Sequence, residues 1–254
     1  MSIYIRYDYS IDYSLDILNK YSVAHQNIVV INDDDGNLGC NGNYFRLLSL
    51  VESKYYMFCN ADDYWFPFKI QLSFDKFLIE ESKHKDKPII VHTDLSISDI
   101  NLRILTISYW ESTNTDPEKF KTFNKLGICS IVAGATMLFN RQVKDLSFPV
   151  SEYAPFFDHW MALKVVKNGI ISTIHTPTIS YRQIGTNLAA VSINKENKIL
   201  YKFKSLRKVI NMNRKEAKML ANIGWGGFPK YLLYKIIVLF TIRFGKKYKS
   251  FQGL

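Results

Sequence analysis

The sequence predicts an α/β fold, a mostly parallel sheet flanked by helices, with a basic helical extension behind it. Three observations predict it. Short apolar runs alternate with segments of helical periodicity from Ile3 to Tyr181. The clearest run, Tyr55-Tyr56-Met57-Phe58-Cys59, ends within a few residues of two adjacent carboxylates, Asp62 and Asp63. The composition also changes at Lys195: residues 195–254 hold 15 Lys/Arg against 2 Asp/Glu, whereas residues 1–194 hold 18 against 21. A chain of 254 residues, 47% of them hydrophobic, can bury one such domain and carry a tail. The expected division is therefore 1–194 for the domain and 195–254 for the extension.

Ile3 to Arg6 reads as a short strand entering the polar turn Tyr7 to Asp12, and Ser14 to Tyr21 as a helix with Leu15, Leu18 and Tyr21 inward. Asn27 to Ile31 is the next strand. The turn after it, Asn32-Asp33-Asp34-Asp35-Gly36-Asn37, lacks the later ligands of a calcium loop and reads as a solvated turn. A helix with Phe45, Leu48 and Val51 inward leads to the strand at Tyr55. That strand delivers Asp62 and Asp63 to its carboxyl end, where open α/β sheets hold ligands. Two neighbouring carboxylates repel, and a divalent cation carrying a diphosphate relieves this; a solvated turn capping the helix near Pro67 is the alternative. That helix, Pro67 to Ser82, carries Ile70, Phe74, Phe77 and Leu78 on one face.

Ile89 to His92 is a strand ending at Thr93-Asp94, where Asp94 is either a pocket residue or a cap, and Asn101 to Ser108 returns as an extended segment. Thr113 to Asn124 is polar and reads as a mobile loop. Ile131 to Arg141 leads from small residues into an apolar strand. Asp158 stands in the first turn of a helix that runs to Asn168 and ends at Gly169, a position where an acid is ordinarily a stabilising charge. Ile170 to Ile174 and Thr178 to Tyr181 close the sheet. Arg182 follows, its guanidinium suited to phosphate oxygens or to a surface ion pair.

These segments, in this order, resemble glycosyltransferase family 2, the inverting GT-A enzymes, and within it the bacterial rhamnosyltransferase-like branch. Asp8-Tyr9-Ser10-Ile11-Asp12 is similar to the family's nucleoside-binding turn, and Asn37 to Asn43 to its Asn-x-Gly-x-x-x-Asn segment. Asn60-Ala61-Asp62-Asp63-Tyr64-Trp65 resembles Asp-Gln-Asp-Asp-x-Trp, and Gly134 to Arg141 resembles the donor-sugar segment Gly-x-Thr-x-x-x-Asn-Arg. Phe157-Asp158-His159-Trp160-Met161-Ala162-Leu163 resembles His-Asp-His-Trp-x-Ala-Leu, and Tyr181 to Asn187 resembles Tyr-Arg-Gln-His-Gly-x-Asn.

The resemblance implies a GT-A fold and inverting transfer from a nucleotide-sugar donor, dTDP-rhamnose being one such donor, to a glycan or lipid-linked acceptor. It implies that Asp8, Asn60, Asp62, Asp63 and Arg182 bind the nucleotide sugar. Asp62 and Asp63 would ligate Mg²⁺ or Mn²⁺, Asp158 would be the general base, and Trp65, His159 and Trp160 would meet the acceptor, with the 113–124 loop on that side. Four departures are present. The family opens with a strand ending in Pro-x-Tyr-Asn, for which this chain has no residues ahead of Ile3, and Tyr7, Asn60 and Ile184 replace family acids and a histidine. They keep open a second reading, a degenerate relative that binds a nucleotide or a partner without turnover.

In the extension, Ile199, Phe203, Leu206 and Ile210 make one face of a basic helix, which Gly224 to Pro229 breaks. Tyr231 to Phe244 is strongly apolar but carries Lys235 and Arg243 and falls short of the roughly 20 residues needed to span a bilayer. It fits an interfacial membrane helix or a helix packed on the domain. No zinc-ligand spacing, helix-turn-helix or RNA-stacking signature is present, so nucleic acid is not an expected partner. Cys40, Cys59 and Cys129 read as reduced, buried thiols, and the start lacks the apolar core of a signal peptide. The expected location is cytoplasmic, peripheral at the inner face of the membrane.

Overall fold

The computed structural model describes residues 1–183 and 198–249, with side chains throughout except at 198–208. Ile184, the expected boundary at 194/195 and the helix face Ile199, Phe203 and Leu206 lie outside this description. The chain forms two compact units, Met1–Lys54 and Tyr55–Leu254.

The first unit holds β1 (Ile3–Arg6), α1 (Ser14–Ala24), β2 (Ile28–Ile31) and α2 (Gly39–Leu50). β1 and β2 pair in parallel, Ile3 opposite Ile28. Phe45, Leu48 and Val51 are buried, as the periodicity of α2 predicts, whereas Tyr21 on α1 is exposed. The centre of this unit is ionic. Arg6, 3% exposed, donates to Asp8 Oδ1 at 2.8 Å, to Asp33 Oδ1 at 2.7 Å and to the carbonyl of Gly36 at 2.9 Å. Arg46 donates to the same Asp33 carboxylate at 2.9 Å. The acidic turn at 32–37 is thus clamped by two guanidinium groups, which hold the Asp33 carboxyl well below the usual carboxylate range.

The second unit contains β3 (Tyr55–Met57), β4 (Tyr64–Trp65), α3 (Lys69–Lys83), β5 (Ile89–Ser98) and β6 (Ile104–Thr106), then the short helices α4 (Tyr109–Thr113), α5 (Pro117–Phe120) and α6 (Phe123–Leu126). A 3₁₀ turn at Gly134–Thr136 leads into β7 (Leu138–Asn140), α7 (Arg141–Ser147), α8 (Phe157–Asn168), β8 (Ile170–Arg182), α9 (Lys198–Asn222) and α10 (Phe228–Phe244). The sheet order is β3-β7-β5-β8-β4, with β6 on β5. It is mixed: β5 and β8 are parallel, while β3–β7, β5–β7, β4–β8 and β5–β6 are antiparallel. The two expected closing strands are one continuous β8 whose pairing with β5 is irregular around Pro177.

β5 lies between β7 and β8, so every residue from Ile89 to Ser98 is buried. Phe77 of α3 packs with Ile89, Val91 and Leu138 on one part of the sheet. Leu95, Ile97, Ala135 and Ile179 form a second cluster, with Trp65, Ala133 and Tyr181 against it. The buried face of α3 differs from the expected one. Lys69, Ser73, Phe77 and Glu80 are buried, whereas Ile70 and Leu78 are exposed. The reason is polar: Lys69 Nζ donates to Thr178 Oγ1 at 3.3 Å, and Ser172 Oγ donates to Glu80 Oε1 at 2.9 Å, so hydroxyls of β8 receive the charged side chains.

The polar stretch at 113–124 is folded into helical turns around the buried Pro117 and Phe120, not left as a loop. Cys40 and Cys59 are exposed and Cys129 is half-buried, against the expectation of buried thiols. The extension packs on its own unit. Trp225, 1% exposed, donates its indole N–H to the Phe123 carbonyl at 2.9 Å, and Asn114 donates to the Ile242 carbonyl at 2.6 Å. No helix among the described residues is long and apolar enough to cross a membrane.

Candidate functional site

Phe156 is extended and Phe157 opens α8, which puts Asp158 in the first helical turn, where backbone N–H groups lack helical partners. Asp158 Oδ1 accepts from the His159 N–H at 2.7 Å and Oδ2 accepts from the Gly134 N–H at 2.8 Å. Burial pushes the Asp158 carboxyl up from its ordinary value, and the two N–H groups pull partly against it. Gly134 is required by packing: a Cβ there would stand 2.4 Å from Cζ of Phe157. The Phe157 ring in turn meets Phe58 edge-on at 4.9 Å, tying the end of the β3 segment to the start of α8.

The acidic turn follows Phe58. Asp63 accepts from Asn60 Nδ2 at 2.8 Å through Oδ2 and from the Arg182 N–H at 3.2 Å through Oδ1. Burial again raises its carboxyl, more than these donors lower it. β4 then pairs with β8, Tyr64 opposite Ser180 and Trp65 opposite Ile179, which brings the turn beside Arg182 at the carboxyl end of β8. The Lys69 ammonium lies over the Trp65 ring, 4.7 Å from its centroid. Lys69 is fully buried, and desolvation lowers it to about 8 against the pull of Cys59 and Asp63. Thr178, its hydrogen-bond partner, shares a 2.6 Å contact with Thr93. Two neighbours on β5 are also buried. Desolvation pushes Asp94 up to about 6 although it accepts from Ser108 at 2.5 Å, and it holds His92 down at about 3.

Asp63, Trp65, Arg182 and Asp158 therefore belong to one unit, connected through Phe58–Phe157 and through the cluster of Ala135, Ile179 and Trp65. Asp8 belongs to the other unit, where Oδ1 takes the Arg6 guanidinium and the Leu38 N–H. His159 and Trp160 are core residues: His159 Nε2 donates to the Leu126 carbonyl at 2.8 Å, and Trp160 Nε1 donates to the Ser147 carbonyl at 2.8 Å. His159 is 5% and Trp160 3% exposed, whereas Trp65, the third residue expected to meet the acceptor, is half-buried. A pocket of about 220 Å³ adjoins this strand, lined by Phe66, Ser96, Ile104, Ile107 and Pro177.

Among the described residues no three His, Cys, Asp or Glu side chains converge to hold a metal ion. Asp62 and Asp63 fit a divalent cation only in the manner of Mg²⁺ sites that use one or two carboxylates and take the remaining ligands from substrate phosphates and water. Two features of the site escaped sequence reasoning: the Gly134 N–H as a partner of Asp158, and the buried Lys69. Lys69 stands two residues after Pro67 in the sequence, but the hydroxyl that allows its burial is 109 residues away.

No family model matches this chain, and no curated protein matches it. Solved structures do. A structure of S. aureus TarS residues 1–349 in complex with UDP-GlcNAc is 14% identical with a TM-score of 0.51, over 96% of this chain and 67% of that one. A second structure of S. aureus TarS 1–349 is 16% identical with a TM-score of 0.55, over 95% and 63%. One of S. aureus TarS is 14% identical with a TM-score of 0.55, over 94% and 38%. The chain thus spans about two thirds of the shorter TarS structures and well under half of the longer one. The α/β architecture of this chain is the GT-A fold of glycosyltransferases.

Proposed function

We propose that this chain is an inverting glycosyltransferase that moves a sugar from a nucleotide-sugar donor to a glycan or lipid-linked acceptor at the cytoplasmic face of a membrane. The observation that carries this reading is the Asp158 carboxylate, oriented by the N–H groups of Gly134 and His159 in the same unit as the Asn60–Asp63 turn. Support for the donor class comes from the fold: one neighbour was solved with UDP-GlcNAc.

In this reading each Asp158 oxygen keeps a second lone pair, and a carboxylate made more basic by burial takes the proton of the acceptor hydroxyl. The freed oxygen forms a bond to the anomeric carbon as the bond to the diphosphate breaks on the opposite face. Asp62, with Asp63 and Asn60, would hold Mg²⁺ or Mn²⁺ and the donor, and Arg182 would lie on the phosphate side. The cation would neutralise the departing diphosphate. Trp65 would offer a ring to the acceptor.

The test is release of nucleoside diphosphate from a panel including UDP-GlcNAc and dTDP-rhamnose, with Mn²⁺ and with candidate acceptors, for the native chain and for Asp158→Asn. Turnover lost in Asp158→Asn supports the reading, and absence of turnover with every donor sinks it. A second reading, a relative that binds nucleotide without turnover, is favoured by the engagement of both Asp63 oxygens within the protein. It predicts that Mn²⁺ plus UDP raises the melting midpoint while no donor is consumed.

A further inference from the structure

α10 is apolar on two opposite sides. Its inward side buries Tyr231 and Val238. The outward side carries Leu232, Leu233, Ile236, Leu239, Phe240 and Phe244, between 42% and 66% exposed. At 100° per residue these six fall within roughly half a turn of helix surface, centred opposite Tyr231 and Val238. The helix cannot roll to hide them, because the inward side is fixed by specific bonds. Tyr231 Oη donates to Glu216 at 2.5 Å, Lys235 Nζ donates to Asn213 at 2.6 Å, and Asn114 holds the Ile242 carbonyl.

Along this segment of the chain itself the charge has one sign. From residue 217 to residue 249 there are seven Lys/Arg and no Asp or Glu. Arg243, Lys246, Lys247 and Lys249 are exposed together at the C-terminal end of α10. An apolar protein groove does not by itself call for four cations at its rim, and a second copy packed through the same face would set its own four cations against these. An anionic lipid surface satisfies both features at once, since acyl chains receive the apolar residues and headgroup phosphates receive the lysines. At 17 residues with Lys235 and Arg243 within it, α10 is too short and too charged to span a bilayer, so an in-plane orientation is the one that suits it.

We propose that α10 is a rigidly presented in-plane anchor, whose outward face enters the headgroup boundary of an anionic membrane while Arg243, Lys246, Lys247 and Lys249 bind lipid phosphates. This deepens the membrane part of the reading above and is independent of the transfer chemistry.

The experiment is sedimentation of the full chain, without donor or metal, with vesicles of phosphatidylcholine alone or mixed with phosphatidylglycerol. Two double variants accompany it, Ile236→Glu/Phe240→Glu and Lys246→Glu/Lys247→Glu, both at exposed positions and both checked for an unchanged melting midpoint. Binding to the mixed vesicles that salt weakens, and that either double variant reduces by about tenfold or more, is the expected result. No binding to mixed vesicles, or binding indifferent to Ile236→Glu/Phe240→Glu, overturns the proposal. So does a dimer that the same variant dissociates in the absence of vesicle binding, which would assign the face to a second copy. Because no donor is present, failure here leaves the transfer reading untouched.

Discussion

The Gly134 N–H reaches Asp158 Oδ2 at 2.8 Å, and the Phe157 ring occupies the space a side chain at Gly134 would need. The pair couples a helix N-terminus to a 3₁₀ turn 24 residues earlier in the chain. An Asp158→Asn amide keeps the size of the group, with its oxygen on one N–H and its NH₂ facing the other. The lost hydrogen bond costs stability, while relief from burying a charge restores it. Unfolding free energy should therefore stay within about 1 kcal/mol of the native value. Removal of the base should lower transfer by roughly 100-fold or more. Urea unfolding and donor turnover measured on the same preparation check both parts; a large loss of stability would show that the carboxylate is structural.

Gly134→Ala should act by packing. A new Cβ 2.4 Å from Phe157 must push the ring away, and Phe157 is held by Phe58. Overpacking of this kind costs roughly 1–3 kcal/mol. The displaced ring also moves Asp158, so turnover should fall along with stability, unlike in Asp158→Asn. Equilibrium unfolding in urea gives the first effect and initial rates the second.

Lys69 gives a pH-dependent prediction of definite sign. Its ammonium, fully buried between Trp65 and Thr178, titrates at about 8, below the ordinary 10.5. Between pH 8 and 10.5 the unfolded chain holds a proton that the folded chain has lost, so stability rises with pH across that window. Below pH 8 the folded chain bears the full cost of the buried charge, roughly 3 kcal/mol. Lys69→Met should be more stable than the native chain at pH 7, with the difference shrinking as pH approaches 10. Melting curves at pH 7, 8, 9 and 10 for both proteins measure it, and a constant difference would refute the assignment.

The elements whose buried face sequence periodicity identifies are those that bury a continuous apolar face. α8 with its end at Gly169, α2 with Phe45 and Leu48, and the apolar residues of β7 appear as expected. What was hidden depends on polar partners distant in sequence. The Ile70, Phe74, Phe77, Leu78 stripe is a valid helical face, yet α3 turns toward Lys69 and Glu80 because Thr178 and Ser172 of β8 satisfy them. The Asp33 turn looked solvated because Arg6 and Arg46, its partners, lie 27 and 13 residues away. The 113–124 stretch looked like a loop because so much of it is polar, while its order rests on Pro117, Phe120 and nearby Trp110. Asp158 was visible as an acid in a helix's first turn; its second donor, a backbone N–H, leaves no mark in a side-chain pattern.

Asp94 and His92, two residues apart on β5, should make opposite contributions to acid stability. Burial raises Asp94 to about 6, so between pH 4 and 6 the folded chain holds a proton that the unfolded chain has released, and stability falls as pH rises through that window. Burial holds His92 near 3, so between pH 6.5 and 3 the unfolded chain takes up a proton that the folded chain refuses, and stability falls as pH drops. The two partly cancel in the native protein, so the difference between native and Asp94→Asn isolates the carboxylate. An asparagine there can accept from the Leu95 and Trp110 N–H groups and donate to Ser108, preserving the start of α4. Relative to Asp94→Asn, the native chain should lose about 3 kcal/mol between pH 4 and pH 6 and little more above it. Urea unfolding of both proteins at half-unit pH steps gives this difference directly. A flat difference would mean that Asp94 is ionised throughout, and that the Ser108 and backbone donors outweigh its burial.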